Sequence, residues 1–261
     1  MADALTFRLL GQGIAYSASP AMMAAAFGAL DLPHRYVLAD VPAEEVPATV
    51  AALREADAGG ANVTVPHKAA VAAEMDELSD VAREADAVNT VVRDGDRLIG
   101  HNTDFPATVE AIERLRPDGV RHALLLGAGG VSRAVQLALR KVGTDHITVL
   151  RRSDGSIRWL ADKITDADLV VNATPIGTGA DETLVPAGLL RPDLAVLDLV
   201  YRPSPTRLVR EARAIGAPAE AGAAILLGQA WRSLELWLGV EAPVDAMRRA
   251  LDAELGGSSG A

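Results

Sequence analysis

The stretch HALLLGAGGVSRAVQLALRKV, from His122 to Val142, reads as a buried strand, a tight glycine turn and an amphipathic helix. His122 to Leu126 is the apolar strand, Gly127-Ala128-Gly129-Gly130 the turn, and Val131 to Val142 the helix. Further apolar strands are expected at Ile147 to Leu150, Leu169 to Asn172 and Ala195 to Val200. Near-continuous apolar strands separated by helices mark a parallel sheet covered on both faces. The glycine turn admits two readings. Its small residues allow strand and helix to pack closely, or they let a pyrophosphate approach the N–H groups at the helix N-terminus. It departs from G-x-G-x-x-G at its sixth position, where Ser132 stands.

Working outward, Phe7 to Gly13 is an apolar run ending in glycines, and Ser17-Ala-Ser19-Pro20 is placed to cap an Ala-rich helix over Pro20 to Leu30. Tyr36 to Asp40 and Ala61 to Val65 read as strands, with a helix over Val46 to Glu55 between them. Val88 to Arg93 and Arg97 to Gly100 flank Asp94-Gly95-Asp96, a hairpin signal. The end of the chain reads as two helices, Ala223 to Leu238 and Pro243 to Leu255. The pattern predicts an α/β protein of two domains with a cleft between them as the natural site. Residues 1–106, completed by the C-terminal helices at about 227–256, form an N-terminal α/β substrate domain. Residues 107–226 form a Rossmann-like nucleotide domain, and 256–261 a flexible tail.

Composition narrows the function. The chain has 261 residues, a formal net charge of −10 and no cysteine. Nucleic-acid binding is disfavoured by the charge, and thiolate chemistry and Cys-ligated metals are excluded. The histidines show no metal-ligand spacing, so no metal is expected. With no basic, apolar leader and no apolar stretch of about 18 residues, a cytoplasmic protein without a membrane span is expected.

After the second strand of the nucleotide domain stand Arg151, Arg152 and Ser153. An acid at that place holds a ribose 2′-OH, whereas arginines suit a 2′-phosphate, which favours NADP over NAD; Asp154 is the dissenting residue. The alternative is two arginines that solvate a loop. Only three lysines occur, Lys68, Lys141 and Lys163. A partly desolvated lysine can exchange a proton where an arginine cannot, and Lys68 alone follows a strand at the end where α/β sheets place their chemistry. Surface solvation is its bland alternative.

Taken in order, Ser17-Ala-Ser19-Pro20, Asn62-Val-Thr64-Val-Pro-His-Lys68, Ala87-Val-Asn89-Thr90 and Gly100-His-Asn102-Thr103-Asp104 resemble the shikimate dehydrogenases. So do Gly127-Ala-Gly-Gly, Asn172-Ala-Thr174-Pro175, Asp198-Leu-Val-Tyr201-Arg-Pro203, Gly222 and Gln229. The resemblance implies reversible, NADPH-dependent reduction of 3-dehydroshikimate to shikimate, with NAD as a second candidate cofactor. It implies that Lys68 exchanges the hydroxyl proton while Asp104 bonds that hydroxyl and the ammonium. Ser17 and Ser19 would hold the substrate carboxylate, and Asn62, Thr64, Asn89, Tyr201 and Gln229 would likewise contact the ring hydroxyls or carboxylate of a small cyclic hydroxy acid. Gly127, Ala128, Gly129, Gly130, Val131, Arg151, Arg152, Ser153, Thr174 and Gly222 would line the cofactor. A monomer or homodimer is expected.

Each matched position has a plainer role open to it: Ser17 and Ser19 as helix caps, Asn89 as a turn residue, Asp104 as a helix N-cap, and Gln229 as one polar spot on a buried helix. The chain also departs from the family. Tyr16 replaces a usual His, Met23-Ala24 a usual His-Asn, and Ile225-Leu226-Leu227 a Met-Leu-Val-like triplet. Between Arg152 and Asn172 there is room for one helix around Ser156 to Ile164, where the family has a further short strand. A quinate or aminoshikimate dehydrogenase is the nearest alternative, although Ser19 argues against quinate; a non-catalytic shikimate sensor is the more distant one.

Overall fold

A computed structural model describes residues 3–256; the tail expected at 256–261 lies almost wholly outside them. The chain opens with β1 (Thr6–Gly11), α1 (Ser19–Ala29), β2 (Arg35–Asp40), α2 (Val46–Ala51), β3 (Ala58–Val63), α3 (Lys68–Ala73), β4 (Glu77–Leu78) and α4 (Asp80–Ala85). The hairpin β5 (Thr90–Asp94) and β6 (Arg97–His101) turns at Gly95, whose φ is 61°. These strands make one mixed sheet in the order β2-β1-β3-β5-β6-β4. β1 is parallel to β2 and β3, while β5 is antiparallel to both β3 and β6.

Two expectations are corrected here. The serines do not cap α1: the N-cap is Ala18 with no side-chain bond, and Ser19 is the first helical residue. Ser17 Oγ instead accepts the Ser19 N–H at 3.2 Å, a local turn two residues long. β3 begins at Ala58 and ends at Val63, because Gly59 and Gly60 conceal its first half from a reading based on β-branched residues.

The second sheet follows α5 (Asp104–Leu115) and contains β7 (His122–Leu126), α6 (Gly130–Lys141), β8 (His146–Leu150), α7 (Leu160–Lys163), β9 (Leu169–Asn172), β10 (Ala195–Asp198), α8 (Arg207–Ala214) and β11 (Ala219–Ala221). It is wholly parallel, in the order β11-β10-β9-β7-β8. Side-chain alternation buries both faces. Leu125, Val171 and Leu197 pack with Ile112, Val135 and Leu139, whereas Leu124, Val170 and Val196 pack with Leu160, Leu208 and Ala212. Between β8 and β9 stand only a 3-10 turn at Ser156–Trp159 and α7, so β8 remains a sheet edge.

α9 (Ala223–Leu238) and α10 (Val244–Glu254) end the described chain. The described residues divide into two compact units, 3–104 with 227–256, and 105–226. In the first unit Phe7 meets Phe27 of α1 and Trp237 of α9, with ring centroids 5.3 and 4.7 Å apart. On the other face of β1, Leu10 joins Val50, Leu53, Val63, Val71, Val91 and Leu98. No helix among the described residues is long and apolar enough to cross a membrane.

Candidate active site

The strand register brings the first unit's candidates to one end of its sheet. β1, β3 and β6 finish there and β5 begins there, since Asn62 pairs with Thr90 and Thr90 with His101. The segments that leave this end carry Ser17 and Ser19, Thr64 and Lys68, Asn89, and Asp104. Lys68 opens α3, and its carbonyl accepts the Val88 N–H at 3.0 Å. Asp104 opens α5. Lys68 Nζ donates to Asp104 Oδ2 at 2.5 Å, and both residues are buried. A lysine placed for solvation would not be withdrawn from water in this way, because burying an ammonium is costly unless it is paired.

Asn62 and Asn89 are held in a polar cluster. Asn62 Oδ1 accepts from the Tyr36 phenol at 2.8 Å, and its Nδ2 donates to Ser233 Oγ at 2.9 Å. Asn89 Nδ2 donates to Thr103 Oγ1 at 2.9 Å, and its Oδ1 accepts the Thr103 N–H at 2.7 Å. Asn89 is therefore no mere turn residue: it ties the segment before β5 to the one that leads into Asp104. Gln229 is buried on α9, and its carbonyl accepts from Ser233 Oγ at 2.9 Å. His67 Nε2 donates to the Val41 carbonyl at 2.6 Å, just beyond β2. Tyr36 and Ser233 carry no site signal in the sequence, while Thr90 and Thr103 stand there only as members of matched motifs. Ser233 lies 171 residues from Asn62, and no local pattern announces that contact.

In the second unit every cofactor candidate leaves the same end of the parallel sheet, because Leu126, Leu150, Asn172 and Asp198 align in register. Gly127 has a φ of 111°, and a Cβ there would lie 2.7 Å from the Ala173 carbonyl oxygen, so its role is close packing. Gly129 differs: no atom lies within 4 Å of where its Cβ would be, and as N-cap of α6 it leaves the first helical amides without a side-chain partner. The close-packing reading therefore holds at Gly127, and Gly129 leaves open space at the helix N-terminus. A pyrophosphate fits beside Gly129, where the N–H groups of Gly130 and Val131 begin the helix.

Arg151, Arg152 and Ser153 are exposed immediately beyond β8. Asp154 is turned back into its own loop, where its Oδ1 accepts the Ser156 N–H at 2.9 Å. Ser156 Oγ in turn accepts the Arg151 N–H at 2.8 Å. The Ser156 hydroxyl and amide hold the Asp154 carboxyl below the usual carboxylate range. The bond from the Ser156 N–H engages one oxygen of the Asp154 carboxylate within its own loop. Thr174 bonds Asn172 Oδ1 through its N–H and its hydroxyl at 3.1 and 2.6 Å. Gly222 passes so close to the Leu199 carbonyl that no side chain fits there. Tyr201 is half-buried in the segment after β10. Among the described residues no cluster of His, Asp or Glu is able to hold a metal ion.

The family model of the shikimate dehydrogenase substrate binding domain matches residues 9–91, and that of the shikimate 5'-dehydrogenase C-terminal domain matches residues 222–251. A shikimate dehydrogenase (NADP(+)) of Symbiobacterium thermophilum is 39% identical, over 95% of this chain and 94% of its own. The chain belongs to the shikimate dehydrogenase family. The family likeness extends to solved folds: the shikimate 5-dehydrogenase of Thermus thermophilus, in complex with NADP(H) and shikimate, superposes with a TM-score of 0.87 at 36% identity, covering 96% of this chain and 100% of that one. A quinate dehydrogenase of Corynebacterium glutamicum in complex with NAD also gives a TM-score of 0.87, at 31% identity over 97% of this chain and 100% of its own. On this shared fold the Lys68–Asp104 pair is assembled, and the loop after β8 is short and clasped.

Proposed function

We propose that this chain reduces 3-dehydroshikimate reversibly to shikimate with NADPH, the first unit holding the substrate and the second the cofactor. The observation that carries the reading is the buried Lys68–Asp104 pair at the sheet end where Ser17 and Ser19 also stand. Bound NADPH supplies the hydride. When a carbonyl carbon is reduced, its oxygen must take up a proton, and the Lys68 ammonium is the donor within the pair. Asp104 fixes that ammonium in place and accepts a bond from the hydroxyl that forms. In the oxidative direction Lys68 takes the proton back. A sensor needs a grip on the carboxylate but no proton-exchanging pair, so retention of both residues favours an enzyme.

Ser17 and Ser19 would hold the carboxylate, with Thr64, Asn89, Tyr201 and Gln229 around the ring and Asn62 behind them. Gly129, Gly130 and Val131 would receive the pyrophosphate, and Arg151, Arg152 and Ser153 the 2′-phosphate, with Thr174 and Gly222 shaping the remaining wall. On this reading the protein works in the cytoplasm as a monomer or homodimer on a small cyclic hydroxy acid, and takes no nucleic acid. The test is a matrix of shikimate, quinate and aminoshikimate, each with NADP and NAD, followed by the absorbance of the reduced nicotinamide. Highest kcat/KM for shikimate with NADP is the expected result; a clear preference for quinate or for NAD overturns it.

A further inference from the structure

Tyr36 lies on β2, the edge strand of the first sheet, and its phenol donates to Asn62 Oδ1 at 2.8 Å. The Ser19 hydroxyl stands near the same phenol. Asn62 Nδ2 donates onward to the Asn89 carbonyl, to Thr90 Oγ1 and to Ser233 Oγ at 3.2, 3.2 and 2.9 Å. Thr90 Oγ1 donates to Asn89 Oδ1 at 3.1 Å, and the same oxygen accepts the Thr103 N–H one residue before Asp104. A continuous set of bonds thus runs from the phenol to the backbone that carries the proton pair.

The orientation of the Asn62 amide decides whether this set can form. Its oxygen must face a donor so that its N–H groups face the three acceptors, and the phenol is that donor. Burial raises the Tyr36 phenol far above its ordinary value, with the Ser19 hydroxyl acting in the opposite direction, so the OH stays neutral and keeps its proton. Removing the OH leaves a buried carbonyl oxygen unpaired and frees the amide to turn.

We infer that Tyr36 is a positioning residue of the substrate site: beside Ser19, which is proposed for the substrate carboxylate, it holds Asn62 in the one orientation that braces Asn89 and Thr103. The inference rests on the proposed reading of this unit as the substrate-binding one. Tyr36→Phe in the full chain removes the OH and keeps the ring that packs near Trp237, at 6.4 Å between centroids. The expected result is a KM for shikimate raised about tenfold, the scale of one buried hydrogen bond, with KM for NADP unchanged. The preference for shikimate over its methyl ester should shrink in parallel.

A purely structural tyrosine gives a different outcome: a lower melting temperature, with KM for shikimate and the acid-to-ester ratio unchanged in the folded enzyme. That result overturns the inference. Should Tyr36→Phe not fold, Ser233→Ala cuts the brace on the far side of Asn62. A raised KM for shikimate there supports the inference, and wild-type kinetics overturn it. Failure of both variants to fold counts against it as well, since a brace the fold cannot lose is structural. Wild-type turnover of shikimate with unaltered variant kinetics sinks this inference alone, whereas a wild-type enzyme inert on all three acids sinks the proposed function and this inference with it.

Discussion

Lys68 Nζ and Asp104 Oδ2 stand 2.5 Å apart at the first turns of two different helices, with side chains only 11% and 9% exposed. Such a pair is expensive to desolvate, and removing one partner strands the other's charge at a cost of about 3–5 kcal/mol. Its retention in a dry setting fits a group kept for chemistry rather than for stability.

Lys68→Ala and Asp104→Asn should each lower kcat by about 10² or more, with smaller changes in KM for shikimate. Because both act on one hydroxyl, the double variant should fall far short of the product of the two effects. Steady-state kinetics check this, and multiplying effects would count against a joint role. Chemical denaturation should also show Lys68→Ala to be less stable than Lys68→Met combined with Asp104→Leu, in which no charge is left buried.

Ser17→Ala combined with Ser19→Ala should raise KM for shikimate strongly, since charge-assisted bonds to a carboxylate are each worth roughly 1.5–3 kcal/mol. The wild type should prefer the acid over its methyl ester, and the double variant should lose that preference. Equal turnover of acid and ester by the wild type removes the carboxylate role from both serines.

Arg152→Ala should weaken NADP by about tenfold to a hundredfold and leave NAD nearly unaffected, the scale of one charge-assisted contact to phosphate. Ser156→Ala removes the hydroxyl that anchors the Arg151 N–H and leaves in place the amide that bonds Asp154. It should narrow the NADP-to-NAD ratio of kcat/KM without a direct phosphate contact being lost. Parallel losses for both cofactors would show that the loop does not read the 2′-phosphate.

Two glycines of the same turn should separate stability from affinity. Gly127→Ala forces a Cβ against the Ala173 carbonyl at a φ of 111°, so it should destabilise the fold. Gly129→Ala meets no protein atom within 4 Å and has an ordinary φ of −75°, so it should melt like the wild type yet bind NADP poorly. Melting curves alongside cofactor titration distinguish the two.

Asp198 is buried, accepting from Thr206 Oγ1 at 2.7 Å and Asn172 Nδ2 at 2.8 Å. Burial raises its carboxyl above the ordinary 3.8, with bonds from Thr206, Val200 and Asn172 opposing. The folded state therefore binds the proton more tightly than the unfolded one, so this contribution is fully present below the unfolded value of 3.8 and is lost as pH rises through the folded value. Denaturant titrations should show the stability of the wild type relative to Asp198→Asn falling as pH rises across that window. A rising difference would mean that the carboxylate is stabilised in the fold.

What is local in this protein was legible in its sequence. The apolar strands β7, β9 and β10, the Asp94-Gly95-Asp96 hairpin, the glycine turn and the lysine after β3 all depend on neighbours a few residues apart, and all stand where the residues place them. Short, alanine-rich α3 and the equally short α4 were not legible, because helices of that length are stabilised by what they pack against rather than by their own propensity. The junction of Tyr36, Asn62 and Ser233 was decided only by the tertiary structure. Periodicity records which side of an element is apolar, whereas the partner of a buried polar group is chosen in space, by elements that the sequence separates by up to 171 residues.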